Sequence, residues 1–329
     1  MTILMDTAVV IFGMHPRRRT LRRRGRFADR LCASTLSIVS LVLMPSLCLA
    51  WGDDAHVYIN QVAAQKIPVS MPKFLRDAAV RLAYLGPEPD RWKDETEYAL
   101  KNAQAPDHYI NLEKLHEFAE LPTGRYEFYS LLYEKRCNET QDRDHWLPER
   151  VGLLPYATIE IYERLKVAFR NYRYYKNSNR PTQILEQDIV FYAGWLGHYV
   201  ADGAQPLHTT IRYDGWIGEN PHRYTTEPGI HAEFETYFVS RNIVPQDFAH
   251  LVGAPVRLKN PFSDFVQYLK RSNALVERVY QLEKAGGFRD NGTPESLKFT
   301  EARLAAGSQM LLNLWYTAWV DSGAEERLK

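Results

Sequence analysis

The sequence predicts an all-α protein, and two observations carry that reading. Apolar residues recur at three- and four-residue spacing, most plainly at Leu304, Met310, Leu311, Leu314 and Trp315, which is the stripe of one helical face. No run shows the apolar–polar alternation between turn signals that a half-buried strand requires. Taken in order, Ala55 to Gln65 reads as a first helix and Lys73 to Tyr84 as a second. Pro155 to Asn177 reads as a long helix, followed by Ile184 to Ala204 and then Ile230 to Val239. Pro261 to Lys284 and Pro294 to Asp321 close the chain. Long loops are expected at 86–107, 120–150 and 205–229, and loops of that length in a compact domain tend to be functional. No internal repeat, low-complexity tract or Pro/Gly/Ser linker divides residues 51–329, so a single domain is expected there.

The first fifty residues are different in kind. Arg17, Arg18, Arg19, Arg22, Arg23, Arg24, Arg26 and Arg30 form a basic block, followed by an apolar run from Leu31 to Ala50. A positive region, an apolar stretch and a small final residue make a secretory signal peptide over 1–50. An amino-terminal anchor is the alternative, but Ser34, Thr35, Ser37, Ser40 and Pro45 interrupt the run and weaken a permanent span. The arginines leave the choice between general and twin-arginine export open. Cys48-Leu49-Ala50 places small residues three before and one before a cut after Ala50. The expected destination is outside the cytoplasm, secreted or periplasmic.

That cut changes the charge balance. The whole chain carries 41 Lys+Arg and 40 Asp+Glu in 329 residues. Residues 1–50 hold eight Arg and two Asp, so the mature chain has 33 against 38, a net of −5. Such a balance shows no footprint for duplex nucleic acid, in which clustered Lys and Arg supply most of the affinity, so no stable duplex binding is expected. Cys32 and Cys48 leave with the signal and Cys137 remains alone, so no intramolecular disulfide can form. With 45% hydrophobic residues, stability is expected from the core and from metal.

Chemistry concentrates in His198-Tyr-Val-Ala-Asp202-Gly-Ala-Gln-Pro206-Leu-His208. Four residues are about 400° of helix, so His198 and Asp202 share one face, and an imidazole one turn from a carboxylate is a zinc clamp. Pro206 ends the helix and lets His208 turn back. The same spacing recurs at His231-Ala-Glu-Phe-Glu235, and upstream lie His56 and His108. A single His four residues from a carboxylate is more often a surface or capping pair. Here, however, five of the ten histidines fall in these segments, which points to a multi-metal site.

The stretches HYVADGAQPLH, GIHAEFE and WGDDAH resemble the zinc-dependent phospholipase C and fungal single-strand-specific zinc nuclease superfamily, as does the closing RLAAGSQMLLNLW. The resemblance implies an all-α domain over 51–329 holding three zinc ions (Zn2+) in one cleft. It implies one zinc on Asp90, His108, His198 and Asp202, and a second on His208, His231 and Glu235. A third would take His56, Asp202 as a bridging carboxylate, and the α-amino and carbonyl groups of Trp51. Glu88 and Asp94 stand close enough to Asp90 to compete for its place; Asp107, directly before His108, is expected to point elsewhere. The resemblance also makes Asp90 the catalytic residue that orients the attacking water. An α-amino group coordinates only when free and unprotonated, which its ordinary pKa of about 7.7–8.0 permits. That requires cleavage directly before Trp51, the bond at which the signal-peptide reading independently places the cut.

The implied activity is hydrolysis of phosphodiester bonds by a monomeric enzyme, with two substrate classes open. The WG start, His56 five residues on and the long loop between His208 and His231 look like the nucleases. Glu235 and the local GIHAEFETYF look like the phospholipases. Tyr213, Trp216 and Tyr224 in the 205–229 loop are candidates to stack a single-stranded base or contact a lipid headgroup, against ordinary loop packing. His116, His145, His222 and His250 read as surface or packing residues. The non-enzymatic alternative is an exported zinc-binding module without turnover.

Overall fold

The computed structural model describes residues 52–324. The all-α expectation holds: helices succeed one another from Asp53 to Ala324, and among the described residues the only β pairing is one isolated bridge, Ile110 to Gly152. The expected cut after Ala50 and the ligand role of Trp51 lie outside the described residues. None of the described helices is long and apolar enough to cross a membrane.

Four helices build the core. Helix α1 spans Asp53–Gln65. Two short helices, α2 (Lys73–Asp77) and α3 (Ala79–Tyr84), stand where one was expected, divided at Ala78. Next come α4 (Glu88–Arg91), α5 (Tyr98–Gln104), α6 (Arg125–Asn138) and α7 (Pro148–Val151). The long α8 (Leu154–Asn177) and α9 (Gln183–Ala204) are joined by a short turn and pack along each other. The closing helix Pro294–Ala324 packs on α8, α9 and α1. Its Trp315 is fully buried and donates its indole N–H to the Ala193 carbonyl of α9 at 3.0 Å. Ser308 of the same helix bonds the Ile59 carbonyl of α1 at 3.1 Å. These two bonds satisfy polar groups that burial would otherwise leave costly.

Several boundaries need correction. The expected loop at 120–150 contains the fourteen-residue α6, and the loop at 86–107 contains α4 and α5. In α6 only Phe128 and Leu132 are buried, so Tyr and charged residues fill most of its surface and no apolar stripe marks it. The stretch Pro261–Lys284 breaks into Pro261–Asn273 and Val276–Lys284. The Asn260 side chain caps the first of these through the Ser263 N–H at 3.1 Å. The expected helix from Ile230 to Val239 begins with a single α turn and widens into a π turn over Glu233–Phe238. A further short helix, Pro245–Ala249, had no sequence signal strong enough to mark it.

Candidate metal centre

Helix α9 supplies the frame of the site. From Ala193 to Ala204 nearly every position is buried, including His198 and Asp202, both with no exposure at all. Polar groups in that setting must find partners or ions. The ring of His198 is fixed by its Nδ1–H, which donates to the Gly86 carbonyl at 2.9 Å and turns Nε2 toward Asp202, 3.4 Å away. The helix ends before Pro206, and Gln205 accepts the Leu207 N–H at 3.1 Å, which starts the short 3-10 turn carrying His208.

That turn is laced to the segment bearing His108. Ile110 donates its N–H to the His208 carbonyl at 2.9 Å, and His208 returns Nδ1–H to the His108 carbonyl at 2.7 Å. One backbone bond and one ring bond thus hold His208 against the segment that carries His108. His231 is anchored the same way, with Nδ1 3.0 Å from the Tyr213 carbonyl. Three histidines thus rest one nitrogen on a backbone carbonyl and present the other inward. This arrangement fixes tautomer and ring orientation in metal sites.

All eight described residues of the expected ligand set meet. Asp202 is central: its Oδ1 lies 3.5 Å from His56 Nε2 and 3.7 Å from His208 Nδ1, and its Oδ2 lies 3.1 Å from His108 Nδ1. Asp90 Oδ1 is 3.6 Å from His198 Nε2 and 3.8 Å from His108 Nδ1, while its Oδ2 is 3.7 Å from His56 Nε2. At the other end, Glu235 Oε2 lies 2.9 Å from His231 Nε2 and 3.4 Å from His208 Nε2. Gln205 also donates to that carboxylate at 3.2 Å, so one side chain both caps the 3-10 turn and steadies Glu235. Three groups have ligand atoms close enough to hold an ion: His56–Asp90–His198, His108–His198–Asp202 and His208–His231–Glu235.

The donor set fits a cation. His56 is fully buried and neither ring nitrogen has a hydrogen-bond partner; Asp90 Oδ2, His108 Nε2, Asp202 Oδ1 and Glu235 Oε1 are likewise buried without one. So many orphaned acceptors in one place would be very costly unless a positive charge joins them. Imidazole nitrogens and carboxylate oxygens are the donors that zinc takes.

The electrostatics point the same way. Burial pushes His56, His108 and His198 well below the ordinary histidine pKa, with neighbouring imidazoles adding to the effect on His56 and Lys93 adding to it on the other two. Burial also lowers His208, against the pull of Glu235. These rings are neutral at pH 7, the form that binds metal. Burial and the repulsion of Asp90 raise Asp202 well above the usual carboxylate range. Burial opposes protonation of His231, but Glu235 and the Tyr213 carbonyl outweigh it and raise its pKa. Glu235 is drawn down to about 2, its burial overcome by His231 and His208. In the absence of metal, the His231–Glu235 pair therefore holds a proton where a cation would sit.

A pH dependence follows. A histidine with a depressed folded-state pKa takes up its proton in the unfolded chain first, so its contribution to stability falls as pH drops through about 6.5. His56, His108, His198 and His208 act in that sense. His231 and Asp202, whose pKa values are raised, act in the opposite sense, but they are two against four. The metal-stripped protein is expected to lose thermal stability as pH falls from about 7 to 5.5. A melting temperature that stays flat or rises over that range would contradict this assignment of neutral rings.

Lys93 had not been singled out from sequence. It stands one turn after Asp90 and its ammonium lies 2.6 Å from Asp90 Oδ1. An acidic residue followed three positions later by a lysine is the only signal, and it is a common surface pattern. Asp107 points away, as expected, to Arg125 at 2.9 Å. Glu88 pairs with Arg91 and Asp94 caps Thr96, so neither takes the place of Asp90. Of the loop aromatics, Tyr224 is buried and packs with Trp216 and Tyr280 in a cluster of rings, whereas Tyr213 is half exposed beside His231. His116 bonds the Glu113 carbonyl at the surface, and His222 stands exposed beside Glu277.

No protein-family model and no curated protein matches the sequence. Among solved structures, the crystal structure of Clostridium perfringens alpha-toxin isolated from avian strain SWCP is similar, with 14% identity and a TM-score of 0.37. The match covers 84% of this chain, and the chain spans 65% of the toxin's length.

Proposed function

We propose that the chain is an exported, zinc-dependent hydrolase of phosphodiester bonds. The observation that carries this reading is the convergence of His56, Asp90, His108, His198, Asp202, His208, His231 and Glu235 into one buried cluster, several of whose ligand atoms are orphaned. Motif resemblance assigns three ions to it: one on Asp90, His108, His198 and Asp202, one on His208, His231 and Glu235, and one on His56, Asp202 and the amino terminus of Trp51. Support for the last comes from Gly52, against which Thr236 packs so closely that an added Cβ would lie 3.1 Å from it. The start of α1 thus rests on the π turn that bears Glu235.

Bound zinc supplies Lewis acidity, which activates water near neutral pH and offsets charge on phosphoryl oxygens. The protein's own groups do the rest. Asp90, at the rim of the cluster, accepts a hydrogen bond from the attacking water and aligns it. Lys93 beside it offers its ammonium to a phosphoryl oxygen. The carbonyls of Gly86, His108 and Tyr213 hold the imidazole rings in place.

The test is hydrolysis of bis-p-nitrophenyl phosphate by the secreted protein, with and without a chelator. Turnover that a chelator abolishes and added zinc restores is expected. Zinc binding with no turnover would instead identify a metal-binding module. Phosphatidylcholine and single-stranded DNA, assayed side by side, separate the two substrate classes.

A further inference from the structure

Charge is distributed unevenly over the described chain. Between Arg164 and Arg180 there are six Lys or Arg and no Asp or Glu. The turn that joins α8 to α9 lies beside α2 and the segment before it, since Tyr172, Lys176 and Glu186 line one cavity with residues 69–77. Residues 66–77 and 170–188 together carry seven Lys or Arg against three carboxylates, Asp77, Glu186 and Asp188. The chain from Trp51 onward has a net charge of −5, so this end of the bundle opposes the sign of the rest.

The same end exposes aliphatic side chains. Val69 is 89% exposed and Ile184 75%, and Tyr174 near the end of α8 is also exposed. The cavity between the two segments measures about 560 Å³, with Val69, Lys73, Arg76 and Lys176 around Tyr172 and Trp319. Arg76 is held by the neutral carbonyls of Pro68 and Met71 at 3.1 and 2.6 Å, which fix the guanidinium without cancelling its charge. Arg180 lies 5.6 and 5.5 Å from the ring centres of Tyr174 and Tyr175, and Lys176 lies 5.7 Å from that of Tyr172.

From this we infer that the α8–α9 turn and the adjoining 66–77 segment form a docking surface for an anionic phospholipid bilayer. The bland account of the cations is the α8 dipole, whose carboxyl end attracts positive charge. That covers Lys176, and Asp77 pairs with Lys73 at 2.6 Å, but neither accounts for Arg76 on another helix or for the exposed aliphatics. Nucleic acid would use the cations and tyrosines, yet Val69 and Ile184 would contribute nothing to binding a phosphate backbone. A lipid interface uses all three groups: aliphatic and tyrosyl side chains partition into the boundary while Lys and Arg meet anionic headgroups. Ile184 lies fourteen residues before His198 on α9, roughly 21 Å along the axis, so docking leaves the metal centre uncovered. The inference does not depend on the hydrolase reading.

The experiment is co-sedimentation of the mature protein with phosphatidylcholine vesicles, with and without phosphatidylserine. Binding is expected with phosphatidylserine, weak on pure phosphatidylcholine and reduced by salt. A Lys or Arg near an anionic leaflet contributes on the order of 1 kcal/mol, so Lys176→Ala with Arg180→Ala should weaken partitioning about 30-fold. Ile184→Ser should weaken it further, while the melting temperature and turnover of a soluble diester stay unchanged. Equal sedimentation with both vesicle types, no sedimentation, or unchanged binding in the double variant would overturn the proposal. So would capture of a single-stranded oligonucleotide, in place of vesicles, that the double variant loses.

Discussion

Replacing Asp202 by Ala is expected to remove both the proposed metal and the proposed hydrolytic activity. No other carboxylate in the cluster faces as many imidazoles: His56, His108, His198 and His208 all lie within 3.7 Å of its two oxygens. Lewis-acid stabilisation is worth several kcal/mol, and each 1.36 kcal/mol is tenfold in rate, so a loss of about 1,000-fold or more is expected. The companion Asp202→Asn separates ligation from packing. In the metal-free protein this carboxylate is buried near Asp90 and its pKa is raised, so the neutral amide relieves a cost and leaves the fold intact or firmer. The expected pattern is a normal or raised melting temperature without zinc, no further rise when zinc is added, and no turnover. Metal content measured on the purified variants decides the matter. Full zinc stoichiometry with wild-type turnover in Asp202→Ala would sink the proposed centre.

The parts of this site that were legible in the sequence share a physical reason. His198 with Asp202, and His231 with Glu235, are one helical turn apart, so spacing alone puts each pair on one face. Gathering these pairs with His56, Asp90 and His108 depends on long-range contacts that no spacing encodes. The reciprocal bonds between the His108 and His208 segments are of that kind, and so is the seat of His198 on the Gly86 carbonyl. Helices were legible where an apolar stripe faces the core, as in α8, α9 and the closing helix. They were missed where tertiary neighbours rather than periodicity hold them, as in α6 with its two buried residues and α4 with only four residues in all. Lys93 could be found only once α4 placed Asp90 in the cluster.

Gly197→Ala is expected to be among the most destabilising single-methyl changes in the molecule. Gly197 lies on α9 directly before His198, and a Cβ there would come within 1.8 Å of Asn60 Oδ1 and 2.6 Å of Asn60 Cγ. Asn60 cannot yield cheaply. Its side chain is fully buried and its amide donates to the Leu82 and Gly194 carbonyls at 2.8 and 3.0 Å, which joins α1, α3 and α9 at one point. To admit the methyl group, either both bonds break or α9 shifts away from α1, and His198 moves with it. Overpacking costs about 1–3 kcal/mol and stranding buried polar groups about as much again, so a loss of about 4 kcal/mol follows. In a domain of this size that is a drop of about 10 °C in melting temperature. The double variant Asn60→Ala, Gly197→Ala distinguishes this cause from a general intolerance of α9 to substitution. Removing the amide removes the clash, so the two changes together should cost clearly less than the sum of the two separate losses. Simple additivity would mean that Asn60 is not what requires glycine at 197.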